Sequence, residues 1–157
     1  MRVWRICRRR FADLSGEGAQ LHGGRWNSPG RPLIYAAEAA ALAVLEVRVN
    51  LDLAWDVLPE DFVLMAIDLQ SSKVDELTAL PPDSRETGDA WLASGRSAYF
   101  KVPSVIVPES CNILINVAHR EASGASLGPI RSLAFDERLW RPRWGAPFAT
   151  VSITRDA

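Results

Sequence analysis

The pattern of apolar and polar positions predicts several short strands with a few helices between them. Apolar runs of strand length recur along the chain, as VWRIC at 3–7, LIYA at 33–36, FVLMAIDL at 62–69, VPSVIVP at 102–108 and NILINVAH at 112–119. Strong helix formers dominate AEAAALAVLEVRVN at 37–50. A second helix is predicted within 87–100, with Thr87 or Asp89 as its N-cap and an end near Gly95. Because these elements do not alternate strictly as βαβ units, the pattern indicates an α+β fold.

Three further segments have weaker patterns. Gly, Ser, Asn and Pro crowd residues 15–32, which predicts irregular backbone there. The run KVDELTALPPD at 73–83 predicts one or two helical turns that end at the Pro81–Pro82 pair. LAFDERLW at 133–140 and ATVSITR at 149–155 are predicted to form a further strand pair or a sheet edge.

Composition limits the class of protein. With 157 residues, of which 48% are hydrophobic, the chain fits a single domain over 1–157 with a real core. The formal net charge of −1 gives no global attraction to nucleic acid or to an anionic membrane. No apolar stretch reaches the roughly 18 residues that span a bilayer, and MRVWRICRRR lacks the apolar core of a signal peptide. We therefore expect a cytoplasmic protein.

Glu46 is the first candidate for chemistry. It lies in the apolar run 39–47, where a carboxylate is rare unless it is paired or used. Helical spacing also places Glu38, Glu46 and Asn50 near one face, so a solvated stripe explains the same pattern. The pattern by itself leaves both interpretations open.

Arg25 and Tyr35 are candidates for binding an anionic or aromatic ligand. Arg25 follows two glycines, and its guanidinium matches two oxygens of a phosphate or carboxylate at once. Tyr35 ends a predicted strand, where its ring could stack on a base while its hydroxyl finds a polar partner. Both Tyr35 and Trp26 also fit a role as core aromatics, and for Trp26 core filling is the favoured interpretation.

Other classes of site find little support. His22 and His119 have no acidic or Cys neighbour at metal-ligand spacing, so no metal is expected. The glycine-rich segment matches neither a Walker motif nor G-x-G-x-x-G, and no G-x-S-x-G elbow is present. Two arginine clusters, at 5–10 and 138–143, could contact nucleic-acid phosphates, but a solvated face or a protein interface is the more common role of such clusters.

Five motifs in order closely resemble the RES domain, a family named for its Arg, Glu and Ser. They are GGRWN at 23–27, PLIYAAE at 32–38, ALAVLEV at 41–47, VPSVIVP at 102–108 and NILINVAH at 112–119. The likeness extends from VWRI at the start to FDERLW at 135–140. One departure is Val117, where many relatives have the proline of N-P-A-H, and we expect it to alter a turn only.

The resemblance implies an ADP-ribosyltransferase-like fold, with a mixed sheet core and surrounding helices. It also implies a toxin of a bacterial RES–Xre pair that cleaves the nicotinamide–ribose bond of its substrate NAD⁺. ADP-ribose would pass to water, phosphate or a protein acceptor. The expected partner is an Xre-like helix-turn-helix antitoxin that covers the site and binds DNA for the pair, so direct nucleic-acid binding by this chain is not expected.

By position, the family's functional residues fall on Arg25, Tyr35, Glu46 and Ser104. Glu46 is expected to stabilise positive charge on the ribose, and Arg25 to grip the pyrophosphate. Tyr35 would pack against nicotinamide or ribose, and Ser104 would position Glu46 or the ribose. Residues of the pocket wall would be Trp26 and Asn112. The alternatives are a mono-ADP-ribosyltransferase acting on a specific protein and, with less support, a non-enzymatic RNA- or protein-binding module.

Overall fold

Residues 1–70 and 73–140 are described by a computed structural model, in which seven strands form one sheet. The strands are β1 (Arg2–Arg8), β2 (Ile34–Ala37), β3 (Phe62–Asp68), β4 (Val74–Glu76), β5 (Tyr99–Pro103), β6 (Cys111–Ile115) and β7 (Ser126–Ser132). Their order is β4-β5-β6-β2-β1-β3-β7, and only the β4–β5 pair is parallel. Three helices accompany the sheet: α1 (Glu17–His22), α2 (Ala40–Asn50) and α3 (Ser84–Ser94).

The α+β class predicted from the sequence is confirmed, and most of the apolar runs form the expected elements. The strand predicted at 102–108 is wrong, because β5 ends at Pro103 and a turn follows it. Strand β3 is buried at six of its seven positions, as a continuous apolar run predicts. The segment predicted to be irregular, 15–32, also contains the short helix α1. No helix within the described ranges has the length and apolar character needed to cross a bilayer.

Two predictions about edge segments are wrong. The predicted helical turns at 73–83 contain strand β4 instead, because Val74–Glu76 pairs with β5 and extends the sheet. The predicted strand at 133–140 is a loop that ends in a 3-10 turn at Glu137–Leu139, while β7, the actual edge strand, precedes it. The other half of that predicted pair, 149–155, lies outside the described residues.

The predicted N-cap of α3, Thr87 or Asp89, is wrong, because the helix is capped four residues before Thr87. Its N-cap is Asp83, whose carboxylate accepts a hydrogen bond from the Glu86 backbone N–H at 2.9 Å. The helix ends at Gly95, as predicted, and Gly95 adopts the left-handed conformation. The earlier start matters because it brings Arg85 into the helix, where its side chain reaches the loop that contains Arg25.

Cross-strand register places Tyr35 and Asn112 on the face of the sheet that α2 covers. Tyr35 is opposite Leu114 and Ala37 is opposite Asn112, so these four side chains share one face. Two apolar clusters lie on this face, one under α2 around Leu42 and one under α3 around Trp91. A third cluster on the opposite face includes Val3, Ile34, Met65 and Tyr99.

Strands β1 and β2 are neighbours in the sheet but are paired only at Trp4 and Ala37. By contrast, β1 pairs with β3 along its whole length, from Arg2 to Arg8. The separation of β1 from β2 opens a cleft in the middle of the sheet, and α2 passes beside it.

Candidate active site

The cleft between β1 and β2 has a volume of about 430 Å³. Its walls come from β1 at 5–7, from the loop 23–26, from β2 and from α2. A smaller space of about 210 Å³ adjoins it and shares Tyr35, Glu46 and Asn112 among its lining residues. Three side chains that the sequence singled out thus lie together at one opening.

Glu46 is half-buried at the cleft, and two side chains of the sheet region donate hydrogen bonds to its carboxylate. Its Oε1 accepts hydrogen bonds from the Ser104 hydroxyl at 2.8 Å and from the Asn112 side-chain amide at 2.5 Å. No described residue donates to Oε2. The solvated-stripe interpretation of Glu46 is wrong, because its carboxylate is hydrogen-bonded to Ser104 and Asn112. Glu38 lies outside α2, and its carboxylate accepts from the Cys111 backbone N–H.

Ser104 is fully buried and reaches Glu46 from the turn that follows β5. Besides donating to Glu46, its oxygen accepts from the backbone N–H groups of Ile106 (3.1 Å) and Val107 (3.2 Å). These bonds explain why the apolar run at 102–108 is not one long strand: the serine side chain satisfies the backbone of a turn. Ser104 does not line the cleft, so its contact with the site is through Glu46.

Tyr35 lines the cleft, but its hydroxyl is hydrogen-bonded to other residues of the protein. The hydroxyl accepts from the Trp26 backbone N–H at 2.9 Å and donates to Asn27 Oδ1 at 2.7 Å. Burial raises the pKa of the Tyr35 phenol to about 12. The phenol therefore stays protonated at neutral pH, which suits a hydrogen-bond donor and excludes a role as a general base.

The loop that contains Arg25 has a fixed backbone. Asn27 is fully buried, and its amide nitrogen donates to the carbonyls of Ala19, Ser28 and Arg31. A glycine is needed at position 24 for the loop to approach Tyr35, because a Cβ there would lie 2.5 Å from the Tyr35 hydroxyl oxygen. Arg25 itself is exposed at the cleft, and no described residue accepts a hydrogen bond from its guanidinium. An unpaired cation on a fixed loop is suited to bind an anion.

Side chains of helix α3 are hydrogen-bonded to this loop, a contact that the sequence did not predict. The Asp89 carboxylate accepts from both the backbone N–H (3.0 Å) and the hydroxyl (2.5 Å) of Ser28. Burial favours a raised pKa for Asp89, but the Ser28 hydrogen bonds and the charges of Arg31 and Arg85 outweigh it and lower the pKa. Arg85 Nε donates to the Gly24 carbonyl at 3.2 Å. Pairs of residues 61 positions apart leave no short-range signal in the sequence.

Gly88 allows α3 and the loop to approach each other. A Cβ at position 88 would lie 2.0 Å from the Trp26 carbonyl oxygen, which no real structure tolerates. Trp26 is buried against Phe100 with ring centroids 6.0 Å apart, in agreement with the core-filling role favoured from the sequence. Trp26 also contributes to the cleft wall.

Of the six residues expected at the site, four by position in the family's motifs and two as its wall, five line the cleft and one supports it. Arg25, Trp26, Tyr35, Glu46 and Asn112 are lining residues, whereas Ser104 lies beneath Glu46. Over the two described ranges, no group of three or more His, Cys, Asp or Glu side chains is placed to hold a metal ion.

Comparison with known proteins places the chain among toxins. The family model described as RES domain matches residues 2–136. A protein of Sphingobium sp. (strain YBL2), named "Prs ADP-ribosylating toxin", is 41% identical over 143 residues, which cover 82% of this chain and 88% of that protein. The "NAD(+) phosphorylase MbcT" of Mycobacterium tuberculosis (strain H37Rv) is 35% identical over 113 residues, which cover 60% of each chain.

The fold also has a solved counterpart. The crystal structure of the M. tuberculosis MbcT–MbcA toxin–antitoxin complex contains a chain that superposes with a TM-score of 0.62, at 23% identity, over 84% of this chain and 83% of that one. At this identity the likeness shows a common fold.

Proposed function

This chain belongs to the RES domain family, and from that premise we propose that it is an enzyme that consumes NAD⁺ by breaking the nicotinamide–ribose bond. Two relatives are named for reactions of this kind, an ADP-ribosylating toxin and an NAD⁺ phosphorylase. The observation that supports the proposal most directly is the position of the Glu46 carboxylate. One oxygen is fixed by Ser104 and Asn112, and the other has no described partner at the cleft.

This arrangement suits the chemistry of the nicotinamide–ribose bond. Nicotinamide leaves as a neutral group from a cationic one, so no acid is needed to protonate it. Positive charge accumulates on the ribose in an oxocarbenium-like state, as in glycoside hydrolysis. A carboxylate fixed before the reaction stabilises that charge without the cost of reorganising solvent. Glu46 fills this role in the proposed mechanism.

In the proposed mechanism, the other residues bind the substrate or orient Glu46. Arg25 binds the pyrophosphate, since its guanidinium is unpaired and its loop is fixed by Asn27 and α3. Tyr35 offers its ring to nicotinamide or ribose while its hydroxyl holds the loop. Ser104 acts through Glu46, and the buried position of its hydroxyl favours this role over direct contact with the ribose. Trp26 and Asn112 complete the wall.

Nicotinamide release by the purified chain tests the reaction. Glu46→Gln keeps the size of the side chain and an oxygen that accepts from Ser104 and Asn112, but it removes the charge. We expect it to fold normally and to release nicotinamide about a hundred- to thousand-fold more slowly. Glu38→Gln is the matched control, because Glu38 is also hydrogen-bonded but lies outside the cleft, and its rate should equal wild type. Wild-type turnover by Glu46→Gln would exclude the mechanism.

The acceptor of ADP-ribose separates two versions of this function. Transfer to a protein is favoured by the relative named as an ADP-ribosylating toxin, and transfer to phosphate by the relative named as a phosphorylase. Incubation of labelled NAD⁺ with the chain and a cell lysate yields a labelled protein band only in the first case. A nicotinamide release rate that rises with added phosphate identifies the second, and release that needs neither phosphate nor protein identifies water.

A toxin that consumes NAD⁺ needs a partner that restrains it, and we include an antitoxin in the proposal. The structural counterpart comes from a toxin–antitoxin complex. In this chain Val49 and Val105 line the cleft and yet are 63% and 47% exposed, which leaves apolar surface at the opening for a protein to cover. An Xre-like helix-turn-helix protein is the partner proposed.

A further inference from the structure

The half of helix α2 that bears Glu46 is packed less deeply than the half before it. The buried residues of α2 are Leu42 and Ala43, and both precede Glu46. Beyond Glu46, Val47 and the C-cap residue Leu51 pack against the same apolar cluster, but each is only half-buried. The position of the Glu46 backbone therefore depends more on contacts that come from outside the sheet.

The connection that follows β7 supplies such contacts at its residues Leu139 and Trp140. The Trp140 indole N–H donates to the carbonyl of Leu53, in the chain just after α2, at 3.0 Å. The Trp140 ring also faces the guanidinium of Arg48, whose Cζ lies 4.5 Å from the ring centroid. Arg48 Nε donates to the Leu139 carbonyl at 2.9 Å. Two hydrogen bonds and a cation–π contact thus bind this connection to the last turn of α2 and the chain after it.

Trp140 is in turn connected to the sheet by a row of aromatic rings. Its ring centroid lies 5.3 Å from that of Phe135, which lies 5.3 Å from that of Phe62 at the start of β3. Trp55, in the 3-10 turn after α2, has its ring centroid 5.7 Å from that of Trp140. Aromatic pairs at these distances stabilise a structure beyond the area that they bury. The row of rings therefore ties the last turn of α2 to β3.

We infer that Arg48 and Trp140 are positioning residues that fix the backbone of Glu46. Arg48 lies two positions after Glu46 in the same helix. A shift of the last turn of α2 would move the carboxylate away from its donors, Ser104 and Asn112. Arg48 and Trp140 are not lining residues of the cleft, so they act through α2 and not on the substrate. The inference rests on the proposed function for the role of Glu46, and it assigns a task to the connection after the last strand.

A double-mutant cycle separates this role from a general loss of stability. We expect Trp140→Ala to lower kcat for nicotinamide release about tenfold with KM for NAD⁺ unchanged, since a small displacement of a reacting group can cost up to about a hundredfold in rate. In the Glu46→Gln background the same substitution should cost little more, because the charge to be positioned is already gone. Additive losses of rate in the double variant, or a wild-type kcat in Trp140→Ala, would overturn the inference.

Two milder variants cover the case in which Trp140→Ala fails to fold. Arg48→Gln removes the cation and its bond to the Leu139 carbonyl, so kcat should fall severalfold. Trp140→Phe keeps a ring against Arg48 and should retain most of the rate. Arg96→Gln is the matched control, because Arg96 is also exposed and hydrogen-bonded, to Asp75 at 2.6 Å, but lies outside the cleft and away from α2 in the chain. An equal fall of kcat in Arg48→Gln and Arg96→Gln would overturn the inference.

Hydrogen–deuterium exchange measures the support of α2 without requiring turnover. Backbone amides at 47–51 should exchange faster in Trp140→Ala than in wild type, whereas those of β6 should keep their wild-type rates. Unchanged exchange at 47–51 would overturn the inference even if the reaction were slowed. The proposed reaction is judged separately by nicotinamide release from wild type. Absence of that release together with faster exchange at 47–51 would reject the reaction and keep the support of α2 by Trp140.

Discussion

Ser104 and Asn112 show how a single carboxylate is prepared for chemistry. Each supplies one donor to the same oxygen of Glu46, Ser104 from the turn that follows β5 and Asn112 from the adjacent strand β6. The side chain of Glu46 has three rotatable bonds, and two hydrogen bonds on one oxygen restrict them before any ligand binds. The acidic residue thus reaches the cleft from α2, but the sheet determines where its charge lies.

Ser104→Ala should reduce turnover more than substrate binding. The variant removes a donor from Glu46, and hydrogen bonds to charged groups are strong enough that we expect kcat to fall about ten- to a hundredfold with little change in KM. Steady-state kinetics of nicotinamide release measures both. Ser97→Ala is the control, because Ser97 is equally buried and bonds to Trp91 Nε1 and the Tyr99 carbonyl, away from the cleft.

Both serine variants should lose about 1–3 kcal/mol of unfolding free energy, since each leaves buried polar groups without a partner. Only Ser104→Ala should lose activity. Equal activity loss in the two variants would mean that Ser104 is merely structural, and a rise in KM alone would mean that Ser104 contacts the substrate.

The residues of the site were predictable to different degrees. A glutamate within an apolar helix and an arginine after two glycines are visible in the sequence, but their meeting at one cleft is not. The family resemblance supplied the order and the roles. What the sequence could not reveal is the use of the Tyr35 hydroxyl, because its partners depend on the path of the loop 24–27.

At the scale of elements, α3 and the loop before β2 form one unit. Gly88 sets their distance, and Asp89 and Arg85 fix their relative position through Ser28 and Gly24. Because the loop bears Arg25, the geometry of the cleft depends on a helix that does not line it. The close contact between Gly88 and the Trp26 carbonyl therefore matters for ligand binding as well as for packing.

Gly88→Ala should therefore impair NAD⁺ binding. The new methyl group would meet the Trp26 carbonyl, and relief of the clash must move α3 or the loop, at a typical cost of about 1–3 kcal/mol. We expect KM for NAD⁺ to rise and the thermal midpoint to fall. Gly124→Ala is the control, because a Cβ there makes only an ordinary contact at 3.6 Å.

Asp89→Asn separates displacement of the loop from general destabilisation. It keeps the size of the side chain and weakens the two bonds from Ser28, so the fold should persist while KM rises. A normal KM in both Gly88→Ala and Asp89→Asn would show that the loop keeps its place without α3.

Apart from the turn at 104–108, the elements that the sequence mispredicted lie at the edges of the sheet or in the connection that follows its last strand. Val74–Glu76 contains residues of mixed propensity, and its strand conformation comes from pairing with β5, 25 positions away. Residues 133–140 look strand-like because of their apolar content. Their aromatic rings instead pack over β3. The ring centroids of Phe135 and Phe62 are 5.3 Å apart, and those of Trp140 and Phe135 are also 5.3 Å apart. Central strands with uninterrupted apolar runs leave no such ambiguity, which is why β3 was predicted almost to the residue.

At the scale of the whole molecule, the cleft opens beside an apolar surface. Leu45 and Val49 are one helical turn apart on α2, and they are 38% and 63% exposed. Val49 and Val105 belong to the cleft wall. Burial of this exposed apolar rim is a contribution that the chain can make to the binding of a partner.

Inhibition by an antitoxin that covers the opening of the cleft should depend on Leu45. We expect Leu45→Glu to raise the antitoxin concentration needed for half inhibition of nicotinamide release about tenfold or more, since a charge at an interface core is costly to desolvate. Leu45 does not line the cleft, so NAD⁺ turnover without antitoxin should stay at the wild-type rate. Leu80→Glu is the control, because Leu80 is 41% exposed in the connection between β4 and α3, remote from α2 in the chain. Equal inhibition of both variants and wild type would place the antitoxin on another surface, and equal weakening of both would indicate a nonspecific effect of charge.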